Sequence, residues 1–150
     1  MRAIIQRVSE ASVYISNEKH SFIGHGLLVF VAWEKNDDAA DSDWMIRKIL
    51  NMRLFKDDSN IMNRSILEFQ GQILVVSQYT LFASIKKGNR PSYIRSASPK
   101  LAKPFYDYFV KKMRETSNLN INSGVFGAEM KIYSSNDGPI TISLDSKNKV

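Results

Sequence analysis

The sequence predicts an α+β fold: a mainly antiparallel β-sheet with a barrel-like core and two main helices packed on one face, in a single domain spanning residues 1–150. Three observations predict it. Six or seven short apolar runs have strand length or strand alternation, against two segments with helical periodicity. Turns rich in Gly, Asn and Pro give hairpin-like connections early and late in the chain. A chain of 150 residues with 43% apolar and 24% charged side chains can also bury one core without metal or disulfide staples.

Residues 2–15 carry Ile4, Ile5, Val8, Val13 and Ile15, interrupted near Ser9-Glu10, which reads as two short strands or one long bent strand. Gly24 and Gly26 mark a turn. Residues 27–32 are continuously apolar and short, the pattern of a strand covered on both faces, and the polar run 35–38 ends it. Asp41, Ser42 and Asp43 then open the first helix, where acidic and cap-forming side chains suit the positive end of the dipole; Trp44, Met45, Ile49 and Met52 form its inward face. Residues 53–55 read as a strand entering the turn at 57–60. After Gly71, residues 73–76 make another buried strand, which delivers Ser77, Gln78, Tyr79 and Thr80 at its carboxyl end.

Phe105, Tyr106, Phe109, Val110 and Met113 set the second helix over 105–113. Ser98-Pro99 suits a cap and first position. Pro104 lacks the N–H that a helix interior needs, so a separate turn or a kink is expected there. Met130, Ile132, Ile140, Ile142 and Leu144 alternate with polar residues on either side of Asn136-Asp137-Gly138-Pro139, which predicts a strand, a turn and a strand.

Composition narrows the chemistry. Cysteine is absent, which excludes disulfides, a thiol nucleophile and Cys-ligated metals, and suits a reducing compartment. The longest apolar run, 26–33, falls far short of the roughly 20 residues of a membrane span, and Met1-Arg2 leads into a strand pattern instead of a signal peptide. A cytoplasmic protein with no membrane contact is expected. His20 and His25 are the only histidines, and with scattered carboxylates they show no ligand spacing, so no metal and no cofactor is expected. The net charge of +6 has one source: Lys86, Lys87, Arg90, Arg95, Lys100 and Lys103 lie in a stretch between Glu68 and Asp107 with no acidic residue. Such a segment suits a phosphate-bearing partner through Coulomb attraction and counterion release, and equally a solvated loop.

Ser77 and Thr80 stand at a strand end, where reactive groups are often displayed. A serine nucleophile needs a base in hydrogen-bond reach, and nothing in the sequence brings either histidine to Ser77. The plainer reading has both hydroxyls bonded to backbone. Gly138-Pro139 by itself is an ordinary turn signal.

Taken together, the segments are specific. Met1-Arg2-Ala3 with Gln6-Arg7-Val8, Lys48-Ile49-Leu50-Asn51 with Arg53-Leu54-Phe55, Val76-Ser77-Gln78-Tyr79-Thr80-Leu81, Lys87-Gly88-Asn89-Arg90-Pro91-Ser92, Phe126-Gly127-Ala128 with Met130, and Asn136-Asp137-Gly138-Pro139-Ile140-Thr141 closely resemble the D-aminoacyl-tRNA deacylase family. Both signature motifs, Ser-Gln-X-Thr and Asn-X-Gly-Pro-X-Thr, are present in order. The resemblance implies a homodimer that hydrolyses the ester joining a D-amino acid, or glycine, to the 3′ adenosine of tRNA. It implies that Gly138-Pro139 is a cis step that enters the partner's site and excludes L side chains, with Arg7 bracing it. Ser77, Gln78 and Thr80 are implied to line the ester pocket, and Phe126, Gly127 and Met130 to receive the adenine. Lys86, Lys87 and Arg90 become the candidate phosphate track. Tyr79 and Tyr93 stand where the family commonly has phenylalanine, and Trp33 where it has a smaller residue. Without the resemblance, a non-catalytic nucleic-acid-binding module and a small-ester hydrolase acting through Ser77 are the competing readings.

Overall fold

A computed structural model of the chain describes residues 1–149. The elements, in order, are β1 (Arg2–Ile15), β2 (Glu18–Ile23), β3 (Gly26–Ala32), α1 (Ala39–Asn51), β4 (Phe55–Lys56), β5 (Met62–Arg64), α2 (Ile66–Phe69), β6 (Gln72–Ser77), a 3₁₀ turn (Tyr79–Phe82), α3 (Pro99–Ser117), β7 (Ile121–Ser123) and β8 (Lys131–Asp145). One mixed sheet has the order β2-β1-β3-β6-β7, with β8 on the other edge of β1; β4 and β5 form a separate two-stranded ribbon. The pairs β1–β2, β1–β3 and β1–β8 are antiparallel, whereas β3–β6 and β6–β7 are parallel. The long β1 pairs with β3 through Val8 and with β2 from Ala11 onward. β2 folds over towards the far edge, where Asn122 Nδ2 donates to Phe22 O at 2.6 Å, so the sheet curls nearly into a barrel.

The alternation in β3 and β6 explains their unbroken apolar runs. Leu27, Val29, Val31, Ile73 and Val75 face α1 and α3 in the larger core cluster, with Met45, Ile49, Phe109 and Met113. Leu28, Leu74 and Val76 face inward, where Val8, Val13 and Ile23 form a second cluster with Met130 and Ile132 at its margin. Each strand thus buries both faces, as strands in parallel pairs do.

Three expectations need correction. α1 begins at Ala39, not at 41–43, because Asp38 and Asp41 cap each other reciprocally: the Asp38 side chain accepts from Asp41 N and the Asp41 side chain from Asp38 N. α3 runs from Pro99 through Pro104 to Ser117 without a separate turn, since near the start of a helix a proline forfeits one early hydrogen bond while the later turns are anchored by core residues. The segment after Met130 is a single 15-residue strand, β8, and not two strands joined by a turn. Its register jumps instead: Asn136 pairs with Val8 and Thr141 with Gln6, so residues 137–140 bulge out opposite Arg7. Asn136 Nδ2 closes the bulge by donating to Arg7 O (2.9 Å) and Ile140 O (3.2 Å).

Candidate active site

A cavity of about 570 Å³ opens where β6 ends. Val76, Ser77, Gln78 and Tyr79 form one wall, and Phe126, Gly127, Ala128 and Met130 form the facing one; Trp33 and Ala102 lie behind them. The parallel pairing of β3 and β6 fixes the first wall, extended by Gln78 N donating to Val31 O at 2.8 Å. The second wall is tied to the first from behind. Gly124 N donates to Val75 O at 2.9 Å, and the Tyr106 hydroxyl, buried on α3, lies 2.9 Å from Val75 O and 3.2 Å from Gly124 O. Burial pushes the Tyr106 phenol up to about 12, so it stays a donor across the accessible pH range. A Cβ at Gly124 would stand 2.5 Å from Met130 Sδ, so any larger residue there displaces the Met130 side chain. The loop after the 3₁₀ turn brings Tyr93 across the mouth, edge-on to Tyr79 with ring centres 5.1 Å apart, and Ser96 Oγ donates to Tyr79 O at 2.7 Å.

The chemistry of the lining is sparse. Among the described residues no histidine, carboxylate or ammonium lines the cavity; its only titratable groups are the phenols of Tyr79 and Tyr93. Ser77 therefore has no base, which disfavours the small-ester hydrolase acting through it. Thr80 lies in the 3₁₀ turn just outside the lining, and its Oγ1 accepts a hydrogen bond from Gln78 Nε2. The amides of Tyr79 and Thr80 open that turn, where N–H groups lack an intrahelical acceptor. Of the residues expected around an ester and an adenine, Ser77, Gln78, Phe126, Gly127 and Met130 share this cavity, and Thr80 touches it through Gln78. The described residues hold no group of three or more metal-ligating side chains.

The remaining expected residues lie elsewhere. Gly138 and Pro139 are exposed and do not line the cavity of their own chain. The cis geometry expected for their bond is corrected by the structure: no cis peptide occurs among the described residues, so the Gly138-Pro139 step is trans. Trans is the favoured isomer of an X-Pro bond by about 0.5–1 kcal/mol, and Pro139 is exposed. The bulge is held at its flanks. Arg7, 7% exposed, sets Nε 2.9 Å from Asp137 Oδ2 and donates through Nη1 to Leu54 O. The hydrogen bond from His25, 3.2 Å away, together with the Arg7 charge, holds the Asp137 carboxyl below its ordinary range. Gly138 adopts φ +117°, and a Cβ there would meet Arg7 Nη2 at 2.6 Å.

Lys86, Lys87 and Arg90 lie exposed in a loop closed at its base by Ser84 and Ser92, whose amides and carbonyls bond reciprocally at 2.9 Å. They do not line the cavity. Arg95 turns away from them, pairing with Glu34 and stacking over Phe82. Sequence reasoning missed Tyr106, Tyr93 and Ser96 as parts of the site, and His25 as a partner of the bulge. Only Tyr106 carried a signal, a hydroxyl in an otherwise apolar helical stripe.

A family model described as D-Tyr-tRNA(Tyr) deacylase matches residues 4–145. The chain belongs to the D-Tyr-tRNA(Tyr) deacylase family. Proteins named D-aminoacyl-tRNA deacylase from Bacteroides thetaiotaomicron and Flavobacterium johnsoniae are each 51% identical to it over 149 residues, 99% of both chains. Among solved structures, one titled c-Myc DNA Unwinding Element Binding Protein superposes with a TM-score of 0.92 at 39% identity, covering 97% of this chain and 98% of that one. Another, described as a probable eukaryotic D-amino acid tRNA deacylase, has a TM-score of 0.81 at 19% identity, covers 95% of this chain and 97% of its own, and shares the fold. No helix among the described residues is long and apolar enough to cross a membrane.

Proposed function

We propose that the protein hydrolyses the ester of D-aminoacyl-tRNA in the cytoplasm, releasing the free D-amino acid and tRNA, and that it also accepts glycyl-tRNA. One observation carries this reading: a single cavity unites Ser77 and Gln78 with Phe126, Gly127 and Met130, yet offers no side-chain base. Such a lining suits a substrate that is already activated. Phe126, Gly127 and Met130 hold the terminal adenine, which places the ester beside Gln78. Water attacks the acyl carbon, a new C–O bond forms, and the bond to the 3′ oxygen breaks; the neighbouring 2′-hydroxyl passes its proton to the leaving 3′ oxygen and takes one from the attacking water, so it ends as it began. The amides of Tyr79 and Thr80 steady the negative charge that develops on the carbonyl oxygen, a contribution worth several kcal/mol at one position. Thr80 positions Gln78 and does not attack.

Handedness is sorted by the 137–140 bulge of a second copy. Gly138 and Pro139 do not line the cavity of their own chain, which supports a homodimer in which each bulge enters the partner's cavity. Its backbone at Gly138 and Pro139 meets an L side chain and leaves room for a D side chain or for none, with Arg7 holding the loop in place. Lys86, Lys87 and Arg90 attract the acceptor-stem phosphates.

The test is an assay with D-tyrosyl-tRNA, L-tyrosyl-tRNA, glycyl-tRNA and a small chromogenic ester, alongside the mass in solution. Loss of the D and glycyl esters alone, by a dimer, supports the proposal. Turnover of the chromogenic compound points to a general esterase, and tRNA binding without turnover to a binding module; either outcome refutes it.

A further inference from the structure

A second concavity of about 470 Å³ adjoins the adenine wall, between α3 and the 123–126 segment. Phe126 lines both spaces, and Tyr106 and Gly124 line the second. Its rim is cationic. Lys103, Lys111 and Arg114 lie on one face of α3 at helical spacing, and His20 faces them from β2; the one carboxylate lining it is Asp107. We infer that this groove binds the phosphates of the single-stranded RNA end that leads into the cavity, whereas Lys86, Lys87 and Arg90 serve the more distant duplex. The inference rests on the reading that the cavity takes a terminal adenosine against Phe126.

Covalent connectivity sets the route. A 3′-terminal nucleotide with its ester at Gln78 and its base against Phe126 has one remaining link to the rest of the RNA, its 5′-phosphate. That link leaves beside the base, and the space beside Phe126 is this groove. Lys86, Lys87 and Arg90 line neither space. Existing ion pairs in the groove do not compete strongly. Lys103 meets Asp107 at 2.6 Å and Lys111 meets Glu115 at 3.8 Å, both exposed pairs four residues apart on the helix, of the kind that a polyanion displaces. Arg114 is already oriented, its Nε donating to Ile121 O at 3.1 Å. Phosphates threaded here would meet cations on a regular helix, which costs less ordering than recruiting the long loop.

The probe is a short RNA ending in single-stranded CCA, labelled at its 5′ end, with binding measured against salt concentration beside full-length tRNA. Lys103→Glu with Lys111→Glu should weaken the short RNA at least tenfold at low salt and flatten its salt slope by about 0.7 for each phosphate no longer neutralised. Lys103→Gln with Lys111→Gln should weaken it less, in the same direction. Asp107→Asn should tighten binding several-fold, a gain that damage to the fold would not give. Lys86→Glu with Lys87→Glu should weaken tRNA more than the short RNA. Unchanged affinity in the Lys103 and Lys111 variants, with melting like the parent and with Phe126→Ala still weakening the short RNA, overturns the groove alone. If the parent protein does not bind the short RNA, or Phe126→Ala has no effect, the adenosine reading falls and the groove assignment falls with it.

Discussion

The cavity and the 137–140 bulge both carry residues of the family's signature motifs, but they are stabilised differently. The cavity is finished within one chain: strand pairing sets one wall, and Tyr106 and Gly124 lock the other to it from behind. The bulge is fixed at its base, by Asn136, Arg7, Asp137 and His25, while Gly138 and Pro139 at its tip do not line the cavity. Groups proposed to hold the ester are preorganised, and their rigidity comes from the core. The group proposed to judge handedness is presented outward on a braced edge. Changes to the first region should therefore alter how fast the D ester is cut, and changes to the second should alter which ester is cut.

Gly124→Val is the strongest way to break the first half of that contrast. The added side chain displaces the Met130 side chain from the wall proposed to receive the adenine, and a shift near 1 Å is expected to lower kcat/KM for D-tyrosyl-tRNA about 100-fold, read by single-turnover hydrolysis. Gly138→Ala sharpens the second half: a positive φ and a clash with Arg7 force the bulge to move, at a local strain of about 1–3 kcal/mol. L-tyrosyl-tRNA hydrolysis should rise about tenfold, a change of about 1.4 kcal/mol in discrimination, while D turnover falls much less. Continued full rejection of the L ester in that variant would separate the bulge from chirality. Tyr106→Phe removes the tie between the walls and should cost about 1 kcal/mol in urea unfolding. Thr80→Ala removes one hydrogen-bond partner of Gln78 and should reduce turnover by less than about tenfold; complete loss with tRNA binding intact would instead point to covalent attack by Thr80.

The smallest expected effect lies far from both regions, where Lys147 meets Asp41 at 2.6 Å beyond the end of β8. Burial alone would raise the Asp41 carboxyl, but hydrogen bonds from Lys147, Ser146 and the Asp38 amide together with the Lys147 charge outweigh it and bring the pKa to about 2. A carboxyl depressed on folding contributes stability that is full above its ordinary value near 4 and is lost as the pH falls towards 2. Asp41→Asn should flatten that part of the acid-melting curve and leave activity at neutral pH as it was.

Much of this was legible in the residues, for identifiable reasons. Residues 27–32 and 73–76 are apolar at every position because both faces of β3 and β6 are covered, and α3 shows its Phe-Tyr-Phe-Val-Met stripe because it packs on one side only. β7 (Ile121–Ser123) was invisible: three residues with two polar side chains carry no period, and they join β6 in parallel through a crossover that no local pattern records. The bulge looked like a turn because Asn136-Asp137-Gly138-Pro139 has turn chemistry, yet β1 supplies pairing on both sides of it and keeps β8 whole. Gln78 and Phe126 could be nominated separately by motif.

The sequence by itself determined the buried strands β3 and β6, the inward faces of the two main helices, where the basic loop lies and which family motifs are present, because those properties depend on side chains close together along the chain. Only the tertiary structure decided that the two motif-bearing walls meet in a cavity free of any histidine or carboxylate, and that Gly138 and Pro139 lie outside it. Pairings such as Gly26 with Gln72 and Arg2 with Asp145 depend on sheet order, register and the closing of long loops, and no local pattern of residues encodes these.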